Sequence, residues 1–301
     1  MSLVASLLVL LLPNSTNRLR PYYSQLETDP SIKPFVTDDR MLKVDRVKIF
    51  GDGSLGAGTA AITPDDATSN AAGLLIFTDD EMERKVKLAK ARSLRLEIHA
   101  IGDLAAEQVL DTLEKCSIDP ATIPILTHCQ VLRKDLIERM RQMNVVANVQ
   151  PSFVPTDMEW VQKRLTKSKQ EFSYVWKYLF KDAGVHVAGG SDSPVETPSP
   201  LVGMYDAMFR CSRVDDNDIY KPDQKLTFAE ALYIYTMAGA RASMEPLLGD
   251  IKVGKAGDLV FLPAELEDNY EMLKTIKARR VVVAGKVVYE HKGDGKRCRI
   301  V

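Results

Sequence analysis

The sequence predicts an α/β fold: a barrel of parallel strands followed by a small β appendage. Three observations lead there. Between residues 44 and 192 apolar runs alternate with helical patterns five times. The runs are apolar throughout, as strands covered on both faces must be. Beyond residue 245 the character changes to short strand-like runs. Five strand–helix units in a row favour a barrel over a small open sheet, although periodicity alone admits both. The boundaries follow: residues 1–245 form the barrel part, and residues 246–301 form the C-terminal β strands and tail.

Each element has its own signature. VDRVKIF (44–50) reads as a strand. DDEMERKVKLAKARSL (79–94) reads as a helix, with acids in its first turn and bases later, as the helix dipole favours. RLEIHAIG (95–102) is a strand and DLAAEQVLDTLEKC (103–116) a helix. IPILTHCQ (123–130) is a strand, RKDLIERMRQM (133–143) a helix and VVANVQPS (145–152) a strand. A longer segment follows, with a helix near 170–183, and then the strand VHVAGGSDSPV (185–195). The helix TFAEALYIYTMAGARASM (227–244) leads to strands in AGDLVFL (256–262) and RRVVVAGKVVYE (279–290), and KGDGKR is a polar tail. The apolar run LVASLLVLLLP (3–13) is short for a membrane span. It reads as a buried strand, with a secretory leader as the alternative.

Composition narrows the function classes. Of 301 residues 45% are hydrophobic and 27% charged, and 40 basic against 41 acidic residues leave a net charge of -1. No basic excess points to nucleic acid, and no partner membrane is expected. Cys116, Cys129, Cys211 and Cys298 are far apart and form no CxxC pair. They make neither a disulfide framework nor a structural zinc cluster, and they fit a reducing compartment. A cytoplasmic location is therefore expected, with the secretory pathway as the alternative that residues 3–13 leave open.

Polar residues gather at the strand ends. The first strand holds Lys48, with Asp52 just after it; the second ends at His99, the third at His128 and the fifth at Asp192. In an α/β barrel the chemistry sits at the carboxyl ends of the strands. Imidazole and carboxylate are common zinc ligands. An unpartnered polar group inside an apolar run is costly, and either a metal or ordinary hydrogen bonds would satisfy these residues. His186, early in its strand, and His291, in the tail, read as structural. Cys129 follows His128 directly and reads as packing on the other side of the strand.

Six ordered segments carry a resemblance: VKIFGDGSLGAGTAAI (47–62), EIHAIGDLAAEQVLD (97–111), THCQVLRKDLIERM (127–140), GGSDSPVETPSPLVGMYDAMFR (189–210), LTFAEALYIYTMAGARAS (226–243) and LGDIKVGKAGDLVFL (248–262). Over about residues 41–290 the chain resembles family-3 amidohydrolases of the YtcJ-like branch. The resemblance implies a metal-dependent-hydrolase TIM barrel with β-sandwich strands. It implies that His99 and His128 bind a divalent metal, zinc in the first instance. Asp192 matches the aspartate that binds metal and takes the proton from the attacking water. Lys48 matches a lysine that is often carboxylated to bridge two metals; a cation behind the metal ligands or on the surface is its other reading. Asp103 and Gln130 are candidates to orient the two histidines, against a helix cap and a loop polar group. The activity implied is hydrolysis of a small-molecule amide-type C–N bond other than a peptide bond.

One departure is plain. The family's first strand carries a His-x-His pair, and this chain has none. The residues before Lys48 are too few for three strand–helix units of roughly 30 residues each. The expectation is a partial barrel, about strands 4–8. Its open edge calls for a second copy or another partner. The alternative function is a catalytically inactive remnant that acts as a binding or structural protein.

Overall fold

The computed structural model describes residues 23–38, 42–65, 73–263, 266, 269–291 and 298–300. The run at 3–13 and the tail KGDGKR lie outside the described residues. A short helix α1 (Tyr23–Thr28) and the paired strands β1 (Phe35–Val36) and β2 (Lys43–Val44) come first. The main sheet holds β3 (Arg46–Phe50), β4 (Arg95–Ala100), β5 (Ile125–His128), β6 (Val146–Val149) and β7 (Val187–Gly189). All are parallel and neighbour one another in chain order. Helices α2 (Asp79–Ala91), α3 (Asp103–Lys115) and α4 (Lys134–Gln142) connect the first four, each strand returning through a helix as parallel pairing requires. This is the α/β architecture of a partial (β/α) barrel. Among the described residues the sheet does not close on itself.

Alternation along the strands sorts two faces. Val47, Ile49, Leu96, Ile98, Leu126, Ala147 and Val149 pack with Met82, Val86, Val109, Leu113 and Ile137 of the helices in the large core. Residues one step out of phase face the other way. Ile125, Val146 and Ala188 form a separate small cluster there with Ala238 and Ala242. Lys48, Glu97 and His99 share the phase of that second face.

Beyond β6 the chain departs from the sequence expectation in three places. The long segment holds α5 (Phe153–Arg164) and α6 (Lys167–Glu171). The helix expected near 170–183 breaks after α6, where Tyr174 takes a left-handed φ of 50° and only a π-helical turn follows at Tyr178–Asp182. The ammonium of Lys221 accounts for the break: it donates to the carbonyls of Gln170, Glu171 and Ser173, which a continuing helix would need. The second difference is α7 (Pro200–Phe209), which begins on a Ser199 cap with Pro200 in the first turn. The third is the expected helix 227–244. It divides at Thr236 into α8 (Phe228–Tyr235) and α9 (Met237–Ala242).

The C-terminal strands are antiparallel. β8 (Leu259–Pro263), β9 (Arg280–Val283), β10 (Lys286–Glu290) and β11 (Cys298–Ile300) lie in the order β10-β9-β8-β11. Ala284 and Gly285 join β9 to β10 with positive φ at both positions, the requirement of a tight hairpin.

α9 docks at the amino-terminal end of the sheet. The carbonyl of Ala242, at its C-terminus, accepts from Arg46 Nη2 (3.0 Å) and Arg95 Nη2 (2.6 Å). Two guanidinium groups there satisfy a carbonyl that the helix leaves open and oppose the negative end of its dipole. A cleft of about 530 Å³ lies beside it, lined by Ile123, Met237, Arg241, Met244 and Leu248. Ile123, just before β5, sets it at the amino-terminal end of the sheet, opposite the end that carries the histidines.

Candidate active site at the carboxyl ends of the strands

Parallel pairing in register brings the polar residues together. Lys48 pairs with Glu97, and Phe50 with His99, across β3 and β4. Lys48 Nζ stands 3.5 Å from Glu97 Oε1, and the same carboxylate takes Arg46 Nη1 (3.4 Å) and Thr127 Oγ1 (3.3 Å). Glu97 is 1% exposed, and these donors help make its burial tolerable.

His99 and His128 sit at the ends of β4 and β5 with ring centroids 4.3 Å apart, edge to face. His99 Nε2 lies 2.8 Å from the carbonyl of Gly53 and 3.2 Å from Asp52 Oδ1. A carbonyl only accepts, so Nε2 carries the proton and Nδ1 the lone pair of the neutral ring. His128 is nearly fully buried, and its ring stacks on Phe153 at 5.8 Å. Burial, with help from neighbouring His99 and Lys48, holds its pKa well below the usual imidazole range. The ring is neutral at physiological pH. Its Nδ1 has no hydrogen-bond partner, and its Nε2 is 4.0 Å from Asp192 Oδ2. Asp192 lies three residues past β7 and its side chain is 40% exposed.

The backbone is unusual at these positions. His128, Cys129 and Asp192 have φ of 87°, 51° and 54°, a region that non-glycine residues seldom occupy. Cys129 is buried, burial pushes its thiol pKa up, and Sγ donates to Leu126 O at 3.4 Å. It is a packing residue. His186 is half-buried before β7 and His291 is exposed after β10.

Asp103 and Gln130 take partners other than the histidines. Asp103, the first residue of α3, accepts from Thr63 N (2.8 Å) and Lys169 Nζ (2.8 Å) and lies 3.7 Å from Arg133. Its charge is balanced by cations and it straps the loop after β3 to the helix. Gln130 Nε2 donates to Asp157 Oδ2 (2.9 Å) and to the Tyr174 hydroxyl (2.6 Å). The tyrosine in turn donates to Asp157 at 2.7 Å. Burial raises the Asp157 carboxyl to about 6.

Glu97 and Gln150 escaped the sequence reading, and Asp52 was given no role in it. Asp52 is 1% exposed and accepts from the backbone N–H of Ala61, Ile101 and Gly102 besides facing His99. It follows a strand end, as His99 and His128 mark theirs. Glu97 shares the phase of His99, two residues earlier, and that spacing alone would have flagged it. Gln150 ends the β6 run and lies beside His128. Among the described residues no three His, Cys, Asp or Glu side chains form a ready metal cluster. His99 and His128 nonetheless lie ring to ring, Asp192 stands 4.0 Å from His128, and the buried His128 Nδ1 has no hydrogen-bond partner.

Known proteins resemble this chain over most of its length. The model of the amidohydrolase family matches residues 12–289. YtcJ of Bacillus subtilis (strain 168) is 34% identical over 250 residues, 81% of this chain and 47% of its own. The N-substituted formamide deformylase of Arthrobacter pascens is 25% identical over 76% of this chain and 43% of its own. The crystal structure of an uncharacterized metal-dependent hydrolase from Pyrococcus horikoshii OT3 superimposes with a TM-score of 0.69 at 28% identity, over 78% of this chain and 48% of that one. The chain spans about half the length of the curated relatives it matches. Among the described residues no helix is long and apolar enough to cross a membrane. With the family model covering most of its length, the chain belongs to the amidohydrolase family.

Proposed function

We propose that this chain carries the catalytic face of a metal-dependent hydrolase acting on an amide-type C–N bond of a small molecule. The observation that carries the reading is the His128–Asp192 approach: a buried neutral imidazole faces a carboxylate at 4.0 Å. Two ligands of one tetrahedral ion, each about 2 Å from it, would stand about 3.3 Å apart, so the partly exposed Asp192 side chain would have to move closer to His128 to share an ion with it. His99, with its lone pair on Nδ1, would be the third ligand. A divalent cation there, zinc by ligand type, would polarise the scissile carbonyl and bring water towards its ionised form. Asp192, the exposed member of the set, takes the proton of the attacking water and returns it to the leaving nitrogen. Carboxylation of Lys48 would set a second anion beside Glu97. Lys48 therefore serves this centre as the counter-cation of Glu97 unless intact mass reveals the carbamate. The barrel part to residue 245 holds the site, and the strands of 246–301 form a separate sandwich part.

Metal content per chain, by plasma mass spectrometry after zinc loading and dialysis, tests the proposal. About one zinc per chain, lost in His128→Ala, supports it, and N-substituted formamides and cyclic amides are then the substrates to screen. No retained metal in the wild-type chain overturns it and leaves the non-catalytic binding or structural reading.

A further inference from the structure

Two complementary polar atoms at the strand ends are buried without hydrogen-bond partners. They are His128 Nδ1 and Gln150 Oε1, and both residues are 2% exposed. An orphaned buried polar group is costly, so two in adjoining positions ask for an explanation. β5 and β6 are neighbouring strands, and the two residues stand at their adjacent ends. The Gln150 amide is fixed one way round. Its Nε2 donates to the Asn148 carbonyl at 3.0 Å, and a flipped amide would set oxygen against oxygen. The His128 ring is fixed as well, between the Phe153 face and the His99 edge. Beside it the Gln150 side chain favours the protonated ring, as an acceptor facing a ring N–H does.

We propose that Gln150 is the positioning residue of His128: its Oε1 accepts the Nδ1 proton and so leaves the lone pair on Nε2, the nitrogen that faces Asp192. The consequence for metal binding rests on the proposed function, whereas the tautomer itself does not. A ligating histidine generally donates its other ring N–H to an acceptor, which sets both its orientation and its basicity. Gln150 is the acceptor of suitable type and place for His128.

Long-range proton–nitrogen spectra of the metal-free, 15N-histidine-labelled full chain read the tautomer directly. Four histidines make the spectrum assignable, with His128→Asn removing one set of signals. The wild-type chain is expected to show His128 protonated on Nδ1. Gln150→Leu should move the proton to Nε2 or mix the two forms. Gln150→Glu, which keeps an acceptor, should restore Nδ1–H. A wild-type ring protonated on Nε2, or a tautomer unchanged in Gln150→Leu, overturns the proposal. The signals of His99, His186 and His291 report whether Gln150→Leu is folded; should it not be, the wild-type and Gln150→Glu spectra decide. Titration with cobalt(II) supplies the second readout, with roughly 10- to 100-fold weaker binding expected in Gln150→Leu. A wild-type chain with Nδ1–H that binds no cobalt refutes the proposed function and supports the positioning role.

Discussion

Asp52 carries more of the site's architecture than its size suggests, and its removal makes a quantitative test. The carboxylate accepts from Ala61 N at 2.9 Å, Ile101 N at 3.0 Å and Gly102 N at 2.9 Å, and stands 3.2 Å from His99 Nε2. Asp52→Ala leaves three buried N–H groups without acceptors. At about 1–3 kcal/mol each, and with some relief from water entering the gap, the loss should reach about 3–5 kcal/mol. Asp52→Asn is gentler. Its single oxygen can replace Oδ2 and keep the Ala61 and Gly102 donors, but its NH2 then meets the Ile101 N–H, at a cost of about 1–3 kcal/mol. Urea unfolding, followed by tryptophan fluorescence and circular dichroism so that coincident transitions license a two-state fit, measures both. An Ala variant within about 1 kcal/mol of wild type, or an Asn variant less stable than the Ala variant, would refute the reasoning.

Three further outcomes follow from the same geometry. The folded chain favours neutral Asp157, its pKa raised from 3.8 to about 6, so the destabilisation it contributes is absent below about pH 4, grows with pH and is complete above about 6. Asp157→Asn should therefore flatten the fall in stability between about pH 4 and 7, by roughly 1–2 kcal/mol after discounting for partial exposure; parallel slopes in urea melts across that range count against it. At Gly203 an added Cβ would sit 1.9 Å from the hydroxyl oxygen of Tyr235, whose ring also packs over Gly189. Gly203→Ala should destabilise the chain by about 1–3 kcal/mol, read as a drop in melting temperature, and no drop would mean that the ring moves freely. Cys129, with its raised pKa and full burial, should resist iodoacetamide in the native chain and react once urea unfolds it, as peptide mapping would show.

The sequence placed the strands well because each is a continuous apolar run, and a run buried on both faces has no other home. It placed the rim residues for the same reason: His99 and His128 interrupt those runs at their ends. Partners were harder. Asp103 and Gln130 follow the histidines closely in sequence, yet their bonds go to Thr63 and Lys169, and to Asp157 and Tyr174, on segments 27 to 66 residues away. Such choices depend on where loops cross. The failed helix near 170–183 has a similar origin, since Lys221 captures its carbonyls from a distant loop. Asp52 and Gln150 obeyed the strand-end rule already in use and were legible.

The docking of α9 bears on how this chain can be cut and how it emerges during synthesis. The guanidinium groups of Arg46 and Arg95 belong to the first two strands of the sheet, yet the carbonyl they share lies 196 and 147 residues further on. A nascent chain ending before Met237 has the five described parallel strands and lacks Ala238 and Ala242 beneath them. Ile125, Val146 and Ala188 would face water, and two cations would lack their acceptor. The five strands are thus a dependent unit, and a fragment ending before Met237 should be captured by chaperones or degraded even though every strand of the sheet is present.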